Sequence, residues 1–256
     1  MVHHKKSFPK ISVITVCYNS ENTILDTLNS FNDQDYPNKE LIIIDGKSND
    51  NTVKIIKESK VDYKSFVSEE DDGIYDAINK GITFSSGDLI GLLHSDDIFS
   101  NKYCLSMIAK KYVSKKSHGI YGNLDYVSNS NPKKVIRKWT AGKFSKKSFT
   151  YGWMPPHPTL YIEKNVYEQF GTYKLDFKIS SDYELILRFF WTNSLSLSYI
   201  PETLVHMKTG GASNKSIKNI FKKTIEDAKA IKLNNMNIFP TLFLKNISKL
   251  NQFFNT

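Results

Sequence analysis

Arginine is almost missing from this sequence. Of its 35 Lys and Arg residues, only Arg137 and Arg188 are arginines. Readers of base edges depend on the planar guanidinium fork, so a charge carried by lysine argues against sequence-specific DNA recognition, and nucleic acid is not an expected partner. Cysteine is scarce too. Cys17 and Cys104 are the only two, which makes no disulfide framework in a chain this long and suits a reducing compartment. Cys17 closes an apolar run and is expected to be buried as a small hydrophobe. His3 and His4 are too few to read as a metal site. No run approaches the roughly 18 apolar residues of a membrane span, and no apolar signal region stands near the start. The expectation is a cytoplasmic protein, able to rest at the inner face of the cell membrane.

What is present is enough for one large α/β domain. Hydrophobic residues make up 40% and aromatics 13% of 256 residues, so a sizeable core can be buried. The net charge of +9 favours an anionic partner such as a nucleotide or a phospholipid headgroup, although Lys-, Asn- and Ile-rich usage is also a matter of genome composition.

The first hundred residues alternate in type. "KISVITVCYN" reads as a buried parallel strand, and residues 21–31 follow with Ile24, Leu28 and Phe31 at helical spacing. "ELIIIDG" is the second strand, "SNDNTVKIIKES" a capped helix, "YKSFVS" the third strand, "GIYDAINKGITF" a helix and "DLIGLLHSDD" the fourth strand. This rhythm predicts a doubly wound, mostly parallel sheet. Beyond residue 100 a helix is expected over 103–113, with paired strands "GIYGNLDYV" and "KKVIRKW". "YGWMPPHPTLYI" reads as a shaped loop, "SSDYELILRFFWT" as a helix capped by Ser, and "SLSLSYIP" as a strand. From about 214 the chain is helical and Lys-rich, with Ile217, Ile220, Phe221, Ile225 and Ala228 on one face. Its tail sets Phe243, Ile247, Leu250 and Phe254 against Lys245 and Lys249.

Ligands of open parallel sheets bind where strands end at their carboxyl edge. The residues just after the four strands are Tyr18 and Asn19, then Asp45, then Glu69 and Asp71, then His94, Asp96 and Asp97. A lone Asp after a strand is more often a helix cap than a ligand, but four such ends on one rim point to a nucleotide and a cation. Adjacent carboxylates at Asp96 and Asp97 repel unless a cation or donor hydroxyls hold them. Hard divalent cations take oxygen ligands and bridge carboxylate to diphosphate. The bland alternative is a solvated turn before the next helix.

"ISVITVCYNSENTILDTLNSF", "LIIIDGKSNDNT", "SEEDDGIYDAINKGITFSSGDLIGLLHSDD", "HPTLYI" and "ISSDYELILRF" together resemble the family 2 glycosyltransferases, over residues 10–213 and with the motifs in order. The branch most similar builds O-antigen and other surface polysaccharides. The resemblance implies a GT-A fold: a mostly parallel central sheet flanked by helices, with a small acceptor-side subregion and, in this chain, C-terminal helices. It divides the chain into a nucleotide-sugar half (1–100), an acceptor and catalytic half (101–213) and Lys-rich helices (214–256). It also implies a nucleotide-diphospho-sugar donor (UDP-linked by expectation), a glycan or polyprenyl-linked acceptor, Mn2+ or Mg2+ as cofactor, and inversion at the anomeric carbon. Carried over by position, Val16, Tyr18 and Asn19 line the base and ribose pocket with Asp45 on the uracil side. Asp71 faces the nucleotide or donor sugar, Asp96 contacts ribose or metal, and Asp97 is the main metal ligand. Asp182 falls where the family has its catalytic base. Many relatives carry two acids after the second strand, whereas this chain has Asp45-Gly46.

Near a helix start a carboxylate is kept ionised, which agrees with Asp182 as the base that takes the acceptor's proton. Capping alone is the competing role, and Glu184 is a rival on the same turn. Arg188 is expected to anchor the helix by an internal ion pair. Asp76 and Lys80 share one face at i, i+4, placed to pair or to reach the donor. His157, held between two prolines, and Trp153 with Tyr151 are acceptor-side candidates, with packing roles as the alternative. Gly210-Gly211-Ala212-Ser213 reads as a loop able to close over a diphosphate. The Lys-rich helices either lie on an acidic membrane or pack on the domain. Two other functions are compatible with a nucleotide-binding parallel sheet. A sugar-phosphate nucleotidyltransferase needs a Gly- and Arg-containing loop after the first strand, which "CYNSENTI" lacks. A non-catalytic binding module of the same fold would have no need of Asp96, Asp97 and Asp182 together.

Overall fold

Apolar runs bounded by polar turns dictate the architecture. In the computed structural model, which describes residues 8–129, 134–208 and 217–251, the run Ile11–Cys17 forms β1 with every residue buried. It is followed by α1 (Ile24–Asn32), β2 (Lys39–Asp45), α2 (Thr52–Glu58), β3 (Ser65–Ser68), α3 (Ile74–Phe84) and β4 (Leu89–Leu92). These four strands are parallel, in spatial order β3-β2-β1-β4. Side chains alternate between faces, so Ile14, Val16, Ile42 and Ile44 join one core while Ile11, Val13, Leu41 and Ile43 join the other. Both faces are covered, which is why the strands are apolar throughout rather than alternating.

The second half extends the same sheet. β5 (Asp97–Phe99), α4 (Cys104–Lys115), β6 (Gly119–Val127), β7 (Val135–Trp139), β8 (Tyr161–Glu163), α5 (Lys164–Phe170), α6 (Ser181–Ile186) and β9 (Leu197–Lys208) follow in the chain. Beyond β4 the order is β8-β6-β9-β5, with β7 added on β6. β8, β7 and β5 run against the others, which leaves the sheet mostly parallel, as expected. The aromatic, Pro-rich loop predicted over 151–162 contains a short 3-10 turn at His157–Thr159 before β8. The helix at 181 continues as a π-helical turn over Leu187–Thr192.

Two helices close the chain, α7 (Ile217–Leu233) and α8 (Ile238–Asn251). They pack on each other, α7 against α6 and α8 against the 3-10 turn Lys146–Tyr151. Their orientation corrects the expected faces. Phe243 is 56% exposed and Lys245 only 1%, the reverse of an apolar side turned in and a lysine side turned out. Ile220, Phe221 and Ile225 also lie outside. The inward side of α7 holds Glu226, Asp227, Ala230 and Ile231, because the groups awaiting it on the main domain are backbone amides as well as apolar side chains. The expected loop at 210–213 lies outside the described residues.

Candidate active site

The register of β1, β2 and β3 sets the donor rim. Cys17 lies beside Asp45, and Asp45 beside Ser68, so the loops at 18–20, 46–48 and 69–71 leave one edge together. Asp45 is fully buried, and its carboxylate accepts from Ser48 N (3.0 Å), Ser48 Oγ (2.5 Å) and Ser68 Oγ (2.7 Å). Beside it the Cys17 thiol, pushed up by burial and by Asp45, is the buried apolar group expected of it. Asn19 adopts a left-handed backbone (φ 50°), which an asparagine tolerates. Its Oδ1 accepts from Asn49 N at 3.0 Å, and its own N–H donates to Ser48 Oγ at 2.8 Å. These bonds stitch the first strand end to the second.

Asp45-Gly46, where two acids were the alternative, has a steric explanation. A Cβ on Gly46 would stand 2.5 Å from Asp71 Oδ2 and 3.6 Å from the Tyr18 ring. Three strand ends therefore meet at one point, with Tyr18 outside as an exposed platform and Val16 buried below. Asp71 Oδ1 accepts from Gly73 N at 2.8 Å, the tight turn that opens α3. Asp76 and Lys80 are joined to each other at 3.2 Å, and Lys80 also to Glu69 at 2.9 Å, so both are engaged within this rim.

The fourth strand end joins the first through Ser20 Oγ and Ser95 Oγ, 2.9 Å apart. β4 ends at Leu92, and His94-Ser95-Asp96 turn the chain into β5, so Asp97 is a strand residue hydrogen-bonded beside β9 rather than part of an open turn. Asp97 is wholly buried, and among the described residues neither carboxylate oxygen has a hydrogen-bond partner. Burial and the neighbouring Asp96 push its carboxyl well above the usual range, partly opposed by Lys208. Such a group demands a proton or a cation. Among the described residues no three His, Cys, Asp or Glu side chains converge on a metal position. The Asp96–Asp97 pair therefore fits a hard cation only where other oxygens complete its shell.

Asp182 opens α6 on the far side of the rim. Tyr75 Oη from α3 donates to Asp182 Oδ1 at 3.3 Å and to Ile179 O at 2.7 Å, and Tyr75 stacks on Tyr173 at 5.6 Å. Burial drives the Asp182 carboxyl up, but His157, Lys223 and Lys245 pull it below the usual value, so it is ionised at neutral pH. His94 and His157 stand 5.9 Å apart, and His157 Nε2 is 3.0 Å from Tyr173 Oη. Burial lowers both imidazoles, His94 to about 4, with Asp182 acting in the opposite direction on each. His94, two residues before Asp96, thus stands within electrostatic reach of Asp182.

Glu184, the rival carboxylate, is committed elsewhere: it is buried and paired with Arg188 (3.1 Å) and Lys174 (2.9 Å). Arg188 also donates to the carbonyls of Phe170, Gly171 and Thr172, an internal anchor. The helix is not capped by a serine side chain. Ser180 Oγ has no hydrogen-bond partner among the described residues, and Ser181 Oγ donates to Lys174 O. Trp153 is half-buried among Tyr121, Phe144 and Phe149, its Nε1 donating to Ala141 O at 2.8 Å, whereas Tyr151 stays outside. Tyr75 and Tyr173 join this site without a role expected of them from the sequence. Only the position of Tyr75 within "SEEDDGIYDAINKG" could have signalled it, and Tyr173 reaches the site only through the fold.

Comparison with known proteins places this geometry. The model of glycosyl transferase family 2 matches residues 12–173. The chain is 33% identical over 191 residues to an uncharacterized glycosyltransferase of Mycobacterium tuberculosis, covering 71% of this chain and 69% of that protein. It is 33% identical over 135 residues to the UDP-Glc:alpha-D-GlcNAc-diphosphoundecaprenol beta-1,3-glucosyltransferase WfgD of Escherichia coli, covering 51% of each. The S. aureus TarS 1–349 structure in complex with UDP-GlcNAc superposes with a TM-score of 0.70 at 20% identity, over 96% of this chain and 72% of that one.

Proposed function

The chain belongs to glycosyl transferase family 2 and has the GT-A fold, and from that premise we propose that it transfers a sugar from a UDP-sugar to a hydroxyl of a glycan or lipid-linked acceptor, with inversion, in surface polysaccharide synthesis. The observation that carries this reading is Asp97, a buried carboxylate just beyond the fourth strand end whose two oxygens have no hydrogen-bond partner among the described residues. Asp96 and Asp97 would hold Mn2+ or Mg2+, with the remaining ligands from the donor diphosphate and water. When bound, the metal would offset charge developing on the leaving nucleoside diphosphate. Tyr18, with Val16 beneath it, and Asn19 would hold base and ribose, and the Asp45 carboxylate would order the loop beside the base. Asp71, Asp76 and Lys80 would border the donor, the last two after exchanging their mutual ion pair for ligand. Asp182, ionised and oriented by Tyr75, would accept the proton of the attacking hydroxyl. His157 and Trp153 lie on the loop leading to the acceptor side. WfgD, a glucosyltransferase named for a diphosphoundecaprenol-linked GlcNAc acceptor, supports a lipid-linked acceptor here.

The test is UDP binding with and without manganese. Asp97→Ala should abolish the metal-dependent part of the affinity, a loss of tenfold or more. An affinity unchanged in manganese would sink the assignment. A non-catalytic binder of this fold would bind UDP but release none from a UDP-sugar.

A further inference from the structure

Residues 176–180, the stretch that leads into α6 and Asp182, are held from two sides. On one side stands α7. Its Glu226 is buried and accepts from three consecutive backbone amides: Lys178 N at 3.1 Å, Ile179 N at 2.7 Å and Ser180 N at 2.9 Å. Bonds from amides to a carboxylate are charge-assisted, and three in succession fix the direction of the backbone as well as its distance. One helical turn on, Lys229 pairs with Asp176 at 2.5 Å and lies 4.5 Å from the centroid of the buried Phe177 ring. No side chain at the start of α6 caps that helix, so these contacts from α7 are what set its approach.

On the other side the same stretch is tied to the donor rim. Lys178 Nζ donates to Asp72 O at 3.2 Å, one residue past Asp71, and Tyr75 Oη donates to Ile179 O at 2.7 Å. Ile179 is therefore gripped at both ends of its own backbone, its N–H by Glu226 and its carbonyl by Tyr75. The Tyr75 hydroxyl also stands 3.3 Å from Asp182 Oδ1. It has one proton to share between carbonyl and carboxylate, so the position of Ile179 decides how it meets Asp182. Glu226 fixes that position from 47 residues away.

We propose that Glu226 is a positioning residue for sugar transfer: by clamping the amides of Lys178, Ile179 and Ser180 from α7, it sets where the Asp182 carboxylate stands against Tyr75. This rests on Asp182 being the base. Glu226 acts through backbone amides, not on the reacting atoms.

The test uses the full chain with Glu226→Gln, which keeps the length but sets an NH2 group against amide donors, and Glu226→Ala, which removes the clamp. Thermal denaturation checks folding, and titration with UDP and manganese counts intact sites. Turnover per intact site is read as UDP release from UDP-glucose and from UDP-GlcNAc. A base misplaced by about 1 Å can cost roughly a hundredfold, so kcat should fall about tenfold or more in Glu226→Gln and further in Glu226→Ala. UDP affinity and KM should stay within about twofold of native, because the strand ends of the donor rim keep their own bonds. Added to Asp182→Asn, Glu226→Gln should lower the residual rate by less than about twofold, since the group it places is gone. Native kcat per intact site in Glu226→Gln overturns the proposal, whether or not Glu226→Ala folds. So does an equal fall with and without Asp182, or a loss of UDP affinity that matches the loss of kcat, which marks a purely structural role. Native turnover by Asp182→Asn, or no UDP release by the native chain from either donor, would instead overturn the functional reading beneath it.

Discussion

At position 46 the absence of a side chain does more for the donor rim than a second acid would. A Cβ there reaches 2.5 Å from Asp71 Oδ2, the free end of a side chain that can swing aside, so the fold would tolerate the intrusion while the rim would not. Gly46→Asp should accordingly leave the thermal midpoint within about 2–3 °C, the shift that 1 kcal/mol gives in a chain of this size. It should weaken UDP binding about tenfold or more by displacing Asp71 and adding like charge beside it. Titration calorimetry with UDP checks this, and native affinity would remove Gly46 and Asp71 from the pocket. Asp45 shows the limit of reading residues one at a time. Its place after a strand was legible as a rim acceptor, but its three donors, Ser48 N, Ser48 Oγ and Ser68 Oγ, make it an organiser of the loop, and the Ser68 contact needs the β2–β3 register.

Strands are written more plainly in the sequence than helix ends. The apolar runs of β1, β2 and β4 need burial on both faces, and only a covered parallel sheet provides it. The seam between β4 and β8 depends on a different glycine. A Cβ on Gly91 would lie 2.2 Å from the Tyr161 ring, which is itself fully buried and has no room to move. Gly91→Val should cost about 2–3 kcal/mol by overpacking, lowering the midpoint by roughly 5–10 °C with UDP affinity retained in the folded fraction. A midpoint within 2 °C of native would mean, on the same scale, that the seam gives way more easily than its packing implies. For α6 the sequence offered a serine cap, Ser180 or Ser181. The structure uses Glu226 instead, 46 residues further on, because a carboxylate can take several amides where one hydroxyl takes one.

Across the whole molecule, charge and apolar surface are sorted on the C-terminal helices. Glu226 and Asp227 are turned inward, so among the described residues the outward side of α7 and α8 carries lysines and large apolar groups but no acid. Phe239 is 81% exposed and stacked on Phe243 at 6.1 Å. This favours the membrane alternative for the outward face, even though the inward face packs on the domain, and it would bring the site to a lipid-linked acceptor. No helix among the described residues is long and apolar enough to cross a membrane. Phe239→Ser with Phe243→Ser should reduce cosedimentation with phosphatidylglycerol-containing vesicles about tenfold and leave UDP binding unchanged. Equal partitioning of native and variant protein would end the idea.

Local pattern alone determined the alternating strands and helices, the rim of polar strand ends and the family, because each is written in short-range periodicity and motif spacing. It could not determine which face of α7 and α8 turns inward, since amphipathic spacing names two faces and only the surface they meet chooses between them. The tertiary structure made that choice. It placed a lysine and two carboxylates inside because unpaired amides, Tyr183 and the Asp182 segment were waiting there, and it left phenylalanines outside. Pairings across 46 to 104 residues, Glu226 with Ser180 or Tyr75 with Ile179, arise only when the chain has closed on itself.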